Sequence, residues 1–145
     1  MNLNIAVLGG GSWGTTVASL TATNCSTTLW ARDNNTVKDI NKHHRNDKYL
    51  KGLHLNTNLK ASHSLEKTLS DADVIVMGIP SQHCRAVLEE AKPFVRPWVP
   101  IVSLTKGIEQ GTQMRITQII ESIFPQHPVG VLTGPNLAKE ILDLA

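Results

Sequence analysis

The chain has 145 residues, of which 41% are hydrophobic and 18% are charged, and its formal net charge is +2. This length and composition predict one globular domain and exclude both intrinsic disorder and a strongly charged partner. Because nucleic-acid binding requires clustered Lys and Arg residues, this small basic excess also argues against a nucleic acid as partner.

Hydropathy and cysteine usage predict a soluble protein of the cytoplasm. No apolar stretch of the sequence approaches the roughly 20 residues that a membrane span requires. The N-terminal apolar run, Ile5 to Leu8, is much shorter than that of a signal peptide. Cys25 and Cys84 stand apart and show no metal-ligand spacing, so we expect two reduced thiols.

The first thirty residues have the pattern of a right-handed βαβ unit. Residues 4–8 form an apolar run without polar alternation, which is typical of a strand covered on both faces in a parallel sheet. A helix is predicted over 13–23 and a second strand over 27–30. The glycine-rich sequence Gly9-Gly10-Gly11-Ser12-Trp13-Gly14 separates the first strand from the helix.

Helices and strands continue to alternate along the rest of the chain. Further helices are predicted over 34–44, 64–69, 81–91 and 114–124, and from residue 136 to the chain end. Further strands are predicted over 59–62, 73–79, 100–104 and 129–132, and 45–58 is irregular. Ser81 is expected to cap the helix that it begins. This alternation predicts an α/β, doubly wound, mostly parallel sheet in the order 3-2-1-4-5-6, a Rossmann fold, with residues 1–145 as one dinucleotide-binding domain.

The glycine turn carries the most specific chemical signal. Gly9 permits a tight turn, Gly11 lets the backbone approach a pyrophosphate, and Gly14 permits close packing of helix on strand. The N–H groups that open the helix then face the anion. A structural loop can share the GxGxxG pattern, but its place after a buried-type strand and before a helix and second strand favours NADP or NAD.

Two charged residues follow the second strand. Asp33 lies 19 residues after Gly14, close to the position where an acid contacts the ribose of a dinucleotide. Arg32 offers a guanidinium that can stack on adenine or pair with a 2′-phosphate, which would suit NADP or both cofactors. A solvated Arg32–Asp33 pair is the structural alternative.

Two later segments follow strands five and six, at the edge where ligands of open α/β sheets collect. Lys106 offers a cation for a phosphate, although an exposed loop lysine is an equal reading. Gly134-Pro135-Asn136 precedes a helix N-terminus that can hold an anion, with Asn136 also suited to cap that helix. Trp13 is suited either to contact the cofactor or to pack the turn. The six histidines lack metal-ligand spacing, so no metal site is expected.

Six sequence blocks in this order resemble the bacterial NAD(P)-dependent glycerol-3-phosphate dehydrogenases, and they span essentially the whole chain. The blocks are Ile5-Ala-Val-Leu-Gly-Gly-Gly-Ser-Trp-Gly-Thr15, Leu29-Trp-Ala-Arg-Asp33, Tyr49-Leu-Lys-Gly52, Val76-Met-Gly-Ile-Pro-Ser81, Thr105-Lys-Gly107 and Gly134-Pro-Asn-Leu-Ala-Lys-Glu140.

The resemblance implies reversible hydride transfer between NAD(P)H and dihydroxyacetone phosphate, which gives glycerol 3-phosphate for phospholipid synthesis. It implies that the cofactor contacts are Ser12, Trp13, Arg32, Tyr49, Lys106 and Ala138. It implies that the substrate contacts are Lys106, Gly134 and Asn136. Lys106 is the implied catalytic residue of this chain, since its ammonium would help to polarise the bound substrate.

The family also has a helical C-terminal domain that supplies a general-acid lysine, and this chain does not include it. The last predicted helix has no capping signal, so we expect the chain to be part of a longer protein. A homodimer through that second domain is expected, and the isolated chain is expected to turn over little or nothing. The alternatives are another NAD(P)-dependent dehydrogenase, such as a 6-phosphogluconate or hydroxyacyl type, and a non-catalytic nucleotide-sensing module.

Overall fold

A parallel sheet forms the centre of the computed structural model, which describes residues 2–132 of the chain. Its strands are β1 (Asn4–Leu8), β2 (Ser26–Trp30), β3 (Lys60–Ser62), β4 (Val74–Met77), β5 (Ile101–Ser103) and β6 (Val129–Val131). All neighbouring strands pair in parallel in the order β3-β2-β1-β4-β5-β6, so the predicted topology is confirmed.

Helices cover both faces of this sheet. They are α1 (Ser12–Thr21), α2 (Asn34–His43), α3 (Leu65–Leu69), α4 (Cys84–Ala91) and α5 (Ile116–Ile123). Two 3₁₀ turns, Ser81–His83 and Lys92–Phe94, flank α4. None of the helices within residues 2–132 has the length and apolar character needed to cross a membrane.

Alternate side chains of β1 enter two separate cores, as the two-residue period of a strand requires. Ala6 and Leu8 belong to the core under α3, α4 and α5. Ile5 and Val7 belong to the core under α1 and α2. Both cores are therefore built on one central strand, which fixes the turn at its carboxyl end relative to the helices on either face.

The apolar spacing of α5 shows why the helix lies on the sheet. Its isoleucines recur at three- and four-residue intervals and are all buried, at positions Ile116, Ile119, Ile120 and Ile123. This spacing places them along one helix face, which packs against the core on the α4 side. The helix predicted over 114–124 is therefore confirmed in type, with slightly narrower bounds.

The prediction that Ser81 caps the fourth helix is wrong. The N–H of His83 donates to the Pro80 carbonyl at 2.9 Å, an i to i+3 bond that produces the 3₁₀ turn before α4. Strand β4, which precedes this turn, is also shorter than the predicted range 73–79. The N–H of Gly78 still donates to the Leu8 carbonyl at 2.8 Å, but Ile79 and Pro80 leave the sheet to form the wall of a cleft.

Candidate functional site

The glycine turn between β1 and α1 packs its backbone against the segment that leaves β4. Gly9 has φ of +115°, and a Cβ atom there would lie 2.7 Å from the Gly78 carbonyl oxygen. A Cβ atom on Gly14 would overlap the Gly9 carbonyl oxygen. Glycine is therefore required at Gly9 by its conformation and at Gly14 by close backbone approach.

The N-terminus of α1 is open to a ligand. Gly11 is its N-cap in an extended conformation, and a Cβ atom on Gly11 would meet no heavy atom within 4 Å. Within residues 2–132, no side chain caps this helix start, and its first turn carries no acidic residue. The N–H groups of the first helical turn therefore present positive potential to open space, which is the requirement for binding a phosphate.

A cleft of about 800 Å³ opens beside the glycine turn at the carboxyl ends of β1, β2 and β4. The residues that line it are Gly9, Gly10, Gly11, Trp30, Ala31, Arg32, Asp33, Thr36, Lys48, Tyr49, Gly78, Ile79, Pro80, His83, Ala86, Val87 and Glu90. This is where the strand order reverses direction between β1 and β4, the usual position for ligands in open α/β sheets. Its volume is that of a small-molecule site.

Arg32 and Asp33 lie at the β2 end of the cleft, but they pair with other residues. The Arg32 guanidinium lies 5.6 Å from the centre of the Trp30 ring, and its Nη2 lies 3.9 Å from Glu90 Oε1. Asp33 Oδ1 accepts the N–H of Asn35 at 2.8 Å and so caps α2. The solvated Arg32–Asp33 pair is therefore not the arrangement that the structure contains.

Asn46 connects the loop after α2 to the glycine turn. Its side chain is almost fully buried, and its Nδ2 donates to the Gly10 carbonyl at 2.9 Å and to Thr15 Oγ1 at 3.0 Å. Its own carbonyl accepts the N–H groups of Tyr49 at 3.3 Å and Leu50 at 2.8 Å. Asn46 thereby positions Tyr49, which is half exposed and lines the cleft.

The loop after β5 brings Lys106 to the neighbouring part of the same sheet edge. Thr105 Oγ1 donates to the Ile79 carbonyl at 2.6 Å, and the N–H of Leu104 donates to the Met77 carbonyl at 2.8 Å. Lys106 is exposed on this loop beside the end of β4 and is not among the residues that line the cleft. Its position is therefore next to the cleft, on the side away from Arg32.

Two side chains from the 81–85 segment hold the rest of that loop. Gln82 accepts the N–H of Gln110 at 3.1 Å and donates to the Ile108 carbonyl at 3.2 Å. Arg85 forms a bidentate ion pair with Glu109, with Nε 3.0 Å from Oε2. The hydrogen bond from Arg85 lowers the pKa of the Glu109 carboxyl, so this pair stays charged at neutral pH.

Cys84 lies directly below this edge and is not a nucleophile. Its Sγ donates to the Ile79 carbonyl at 3.2 Å, and burial raises the pKa of the thiol to about 11. A thiol with this pKa stays neutral near pH 7 and is a poor nucleophile or metal ligand. Both cysteines are free thiols, and residues 2–132 contain no group of three or more His, Cys, Asp or Glu side chains that could hold a metal ion.

The remaining predicted residues divide into two groups. Ser12 and Trp13 begin α1. The Ser12 carbonyl accepts a hydrogen bond from the Thr16 hydroxyl at 2.8 Å, and the partly buried Trp13 packs against the core under α1. Gly134, Asn136 and Ala138 lie outside the described residues, as does the helix predicted from residue 136.

Several residues of the cleft were not predicted from the sequence. Thr36 and Lys48 enter it from α2 and from the segment classed as irregular, while Gly78 and Pro80 form its wall after β4. The pattern could have indicated Gly78, which follows β4. A glycine at the end of the strand beside the GxGxxG turn is needed because the backbone of that segment touches the backbone of the turn. No local sequence pattern indicates a role for Lys48 or Asn46, because only tertiary contacts bring these residues to the cleft.

Comparison with known proteins identifies this arrangement. The chain matches the family described as "NAD-dependent glycerol-3-phosphate dehydrogenase N-terminus" over residues 4–144. A glycerol-3-phosphate dehydrogenase of Sphingopyxis alaskensis is 53% identical over 142 residues, which cover 98% of this chain and 43% of the relative. One of Mycobacterium avium is 50% identical over 140 residues, covering 96% of this chain and 41% of the relative. The chain thus spans less than half the length of these relatives.

A solved structure agrees with the sequence comparison. The crystal structure of glycerol-3-phosphate dehydrogenase from Coxiella burnetii has a TM-score of 0.90 to this chain at 29% identity, and the match covers 98% of this chain and 44% of that one. The resemblance that the six sequence blocks indicated is therefore confirmed. From its sequence and its fold, the chain belongs to the family of N-terminal domains of the NAD-dependent glycerol-3-phosphate dehydrogenases.

Proposed function

We propose that residues 1–145 form the cofactor-binding domain of an NAD(P)-dependent glycerol-3-phosphate dehydrogenase. The observation that carries this proposal is the uncapped N-terminus of α1 at Gly11, which opens onto a cleft of about 800 Å³. A diphosphate at this position would accept the helical N–H groups and benefit from the positive end of the helix dipole. The names of the relatives support glycerol 3-phosphate as one substrate, and oxidation of its secondary alcohol gives dihydroxyacetone phosphate as the other.

The residues of the cleft fit NAD or NADP. Gly11 and the first N–H groups of α1 would hold the diphosphate, while Gly9 would shape the turn, because its own N–H donates to the Trp30 carbonyl at 2.9 Å. Arg32, Asp33 and Tyr49 would surround the adenosine end. The chemistry that a bound NAD(P)H would supply is hydride donation to the carbonyl carbon of dihydroxyacetone phosphate, with a proton taken up on the oxygen to give glycerol 3-phosphate. The apolar wall near the β4 end would exclude water from the reacting groups.

Lys106 is the residue of this chain that we assign to the reaction. Its ammonium would stabilise negative charge that develops on the substrate oxygen or neutralise the substrate phosphate. The hydrogen bonds of Gln82 and Arg85 hold the loop that carries Lys106 next to the cleft. We further assign Gly134 and Asn136 to substrate binding and Ala138 to cofactor binding, as the family resemblance implies.

The proposal extends to the whole enzyme. It places the general-acid lysine in a second, helical domain and assigns homodimer formation to that domain. It also includes a cytoplasmic location, a supply of glycerol 3-phosphate for phospholipid synthesis and no nucleic-acid partner, consistent with the small net charge of +2.

Two measurements test the proposal. Nicotinamide fluorescence is first followed as the 145-residue chain is titrated into NADPH and into NADH. Absence of binding to both NADPH and NADH at millimolar concentration would contradict the proposal that this chain binds the cofactor.

The second measurement uses a protein that contains this chain and has the length of its relatives. It is mixed with NADPH and dihydroxyacetone phosphate, and we expect a substrate-dependent loss of NADPH absorbance. Oxidation of NADPH only with an unrelated keto acid would overturn the substrate assignment, and binding without turnover of any substrate would favour a nucleotide-sensing module.

A further inference from the structure

Lys48 and Asp33 face each other at the adenosine end of the cleft. Lys48 Nζ lies 3.6 Å from Asp33 Oδ2, and both residues line the cleft. The other carboxylate oxygen of Asp33 already accepts the N–H of Asn35 at 2.8 Å. Asp33 therefore does not present an unopposed carboxylate to a ligand, because a helix N-terminus and a lysine offset its negative charge.

The same end of the cleft holds a second cation in a similar arrangement. Arg32 Nη2 lies 3.9 Å from Glu90 Oε1, and both of these side chains are more than half exposed. Exposed pairs at such separations are weak, and a phosphate dianion attracts a cation more strongly than a single carboxylate does. Arg32 and Lys48 are therefore both available to a phosphate that enters beside Asp33.

We propose that Lys48 is a cofactor-specificity residue that binds the 2′-phosphate of NADP(H) together with Arg32. An acid at the position of Asp33 normally favours NAD, because it accepts the ribose hydroxyl and repels a 2′-phosphate. In this chain Lys48 offsets that repulsion and adds a positive charge of its own. The inference rests on the proposed function, since it assumes that the cleft binds a nicotinamide dinucleotide.

A purely structural role for Lys48 makes a different prediction. If Lys48 served only to hold Asp33 as the cap of α2, its removal would weaken α2 and affect both cofactors equally. A role at the 2′-phosphate affects NADPH alone, because NADH carries a hydroxyl there. The ratio of the two affinities therefore separates the two roles.

The test compares Lys48→Met and Lys48→Arg with the unaltered 145-residue chain, titrated with NADPH and with NADH by nicotinamide fluorescence. Lys51→Met is the matched control, because it removes an exposed lysine three residues away that is not among the residues lining the cleft. We expect Lys48→Met to weaken NADPH binding at least about tenfold, the loss of one charge-assisted phosphate contact, and to leave NADH binding nearly unchanged. Lys48→Arg should retain the NADPH preference, and Lys51→Met should change neither affinity.

Equal effects of Lys48→Met on NADPH and NADH, or no effect on either, would overturn the role of Lys48 and leave the proposed function standing. Failure of the unaltered chain to bind either nucleotide would instead contradict the proposed function, and this inference with it. The melting temperature of each variant is measured beside the titrations, so that a folding defect is recognised.

Discussion

Asn46 donates from Nδ2 to the Gly10 carbonyl at 2.9 Å, so that a side chain from the loop after α2 holds the glycine turn from behind. The same amide reaches Thr15 Oγ1 on the first helix at 3.0 Å. Because Asn46 is buried, these two acceptors would lack a donor if the amide were removed. One residue thus joins the turn, the helix that follows it and the loop that carries Tyr49.

We expect Asn46→Ala to lower both the stability of the chain and its affinity for dinucleotides. Leaving buried acceptors unsatisfied should lower the free energy of unfolding by about 1–3 kcal/mol, measured by urea denaturation. Asn41→Ala is the matched control, since Asn41 also makes two side-chain hydrogen bonds to one backbone residue, Ala61, on the exposed side of α2. The control should lose stability but keep its NADPH affinity; equal loss of affinity in both variants would contradict a specific role for Asn46.

The open space at Gly11 allows the anion site to be tested without disturbing the fold. A Cβ atom at this N-cap would meet no heavy atom within 4 Å, and Asp is among the best N-cap residues. We therefore expect Gly11→Asp to fold with unchanged or higher thermal stability, while its carboxylate repels the diphosphate and abolishes binding of both NADPH and NADH. Gly11→Asn supplies a neutral cap as the control and should bind more tightly than the Asp variant. Full binding by Gly11→Asp would show that the diphosphate lies elsewhere.

Arg32→Ala tests the second cation of the adenosine end. Since Arg32 is exposed, its removal should leave thermal stability nearly unchanged, and we expect NADPH affinity to fall at least about tenfold more than NADH affinity. Glu90→Gln removes the acid that competes for Arg32 and should change NADPH affinity in the opposite direction. An unaltered ratio of NADPH to NADH affinity in both variants would remove Arg32 from 2′-phosphate recognition.

Acid stability tests the junction of β1 and β4. The Asp73 carboxyl has a pKa below its ordinary value of 3.8. The main cause is the hydrogen bond that it accepts from the N–H of Asn4, and the second cause is the hydrogen bond from Arg96. A carboxyl group with a lowered folded-state pKa stabilises the fold above its unfolded-state pKa, and this contribution disappears as the pH falls through the lowered value. We therefore expect Asp73→Asn to unfold more easily than the unaltered chain at pH 7, with the difference shrinking below pH 3.8. Denaturation of both proteins across this range, with the exposed Asp71→Asn as control, measures the effect; a constant difference at all pH values would contradict it.

The sequence predicted best what depends on local pattern. The bounds of β1 were predicted residue for residue, because four consecutive apolar residues after Asn4 end at a glycine turn. Asp33 is predicted by spacing as a ribose contact, and that role stays a prediction; the structure shows it capping α2, a role that spacing does not reveal. The partners of Asn46 and Lys48 lie far away in sequence, so no local pattern could bring them to the cleft.

The contact among Gly9, Gly14 and the backbone of Gly78 has a thermodynamic consequence. A Cβ atom on Gly78 would lie 3.3 Å from the Gly14 Cα, so these backbones touch without side chains that could rearrange. The glycine-turn end of the cleft is therefore preorganised, and the protein loses little conformational entropy when a ligand binds there. Lys48 and Arg32 are exposed and lose rotamer freedom when they engage a phosphate. The glycine turn should thus set the affinity that NADH and NADPH share. The ordering of Lys48 and Arg32 at the other end should set the preference between the two cofactors. That preference should therefore depend on temperature and ionic strength.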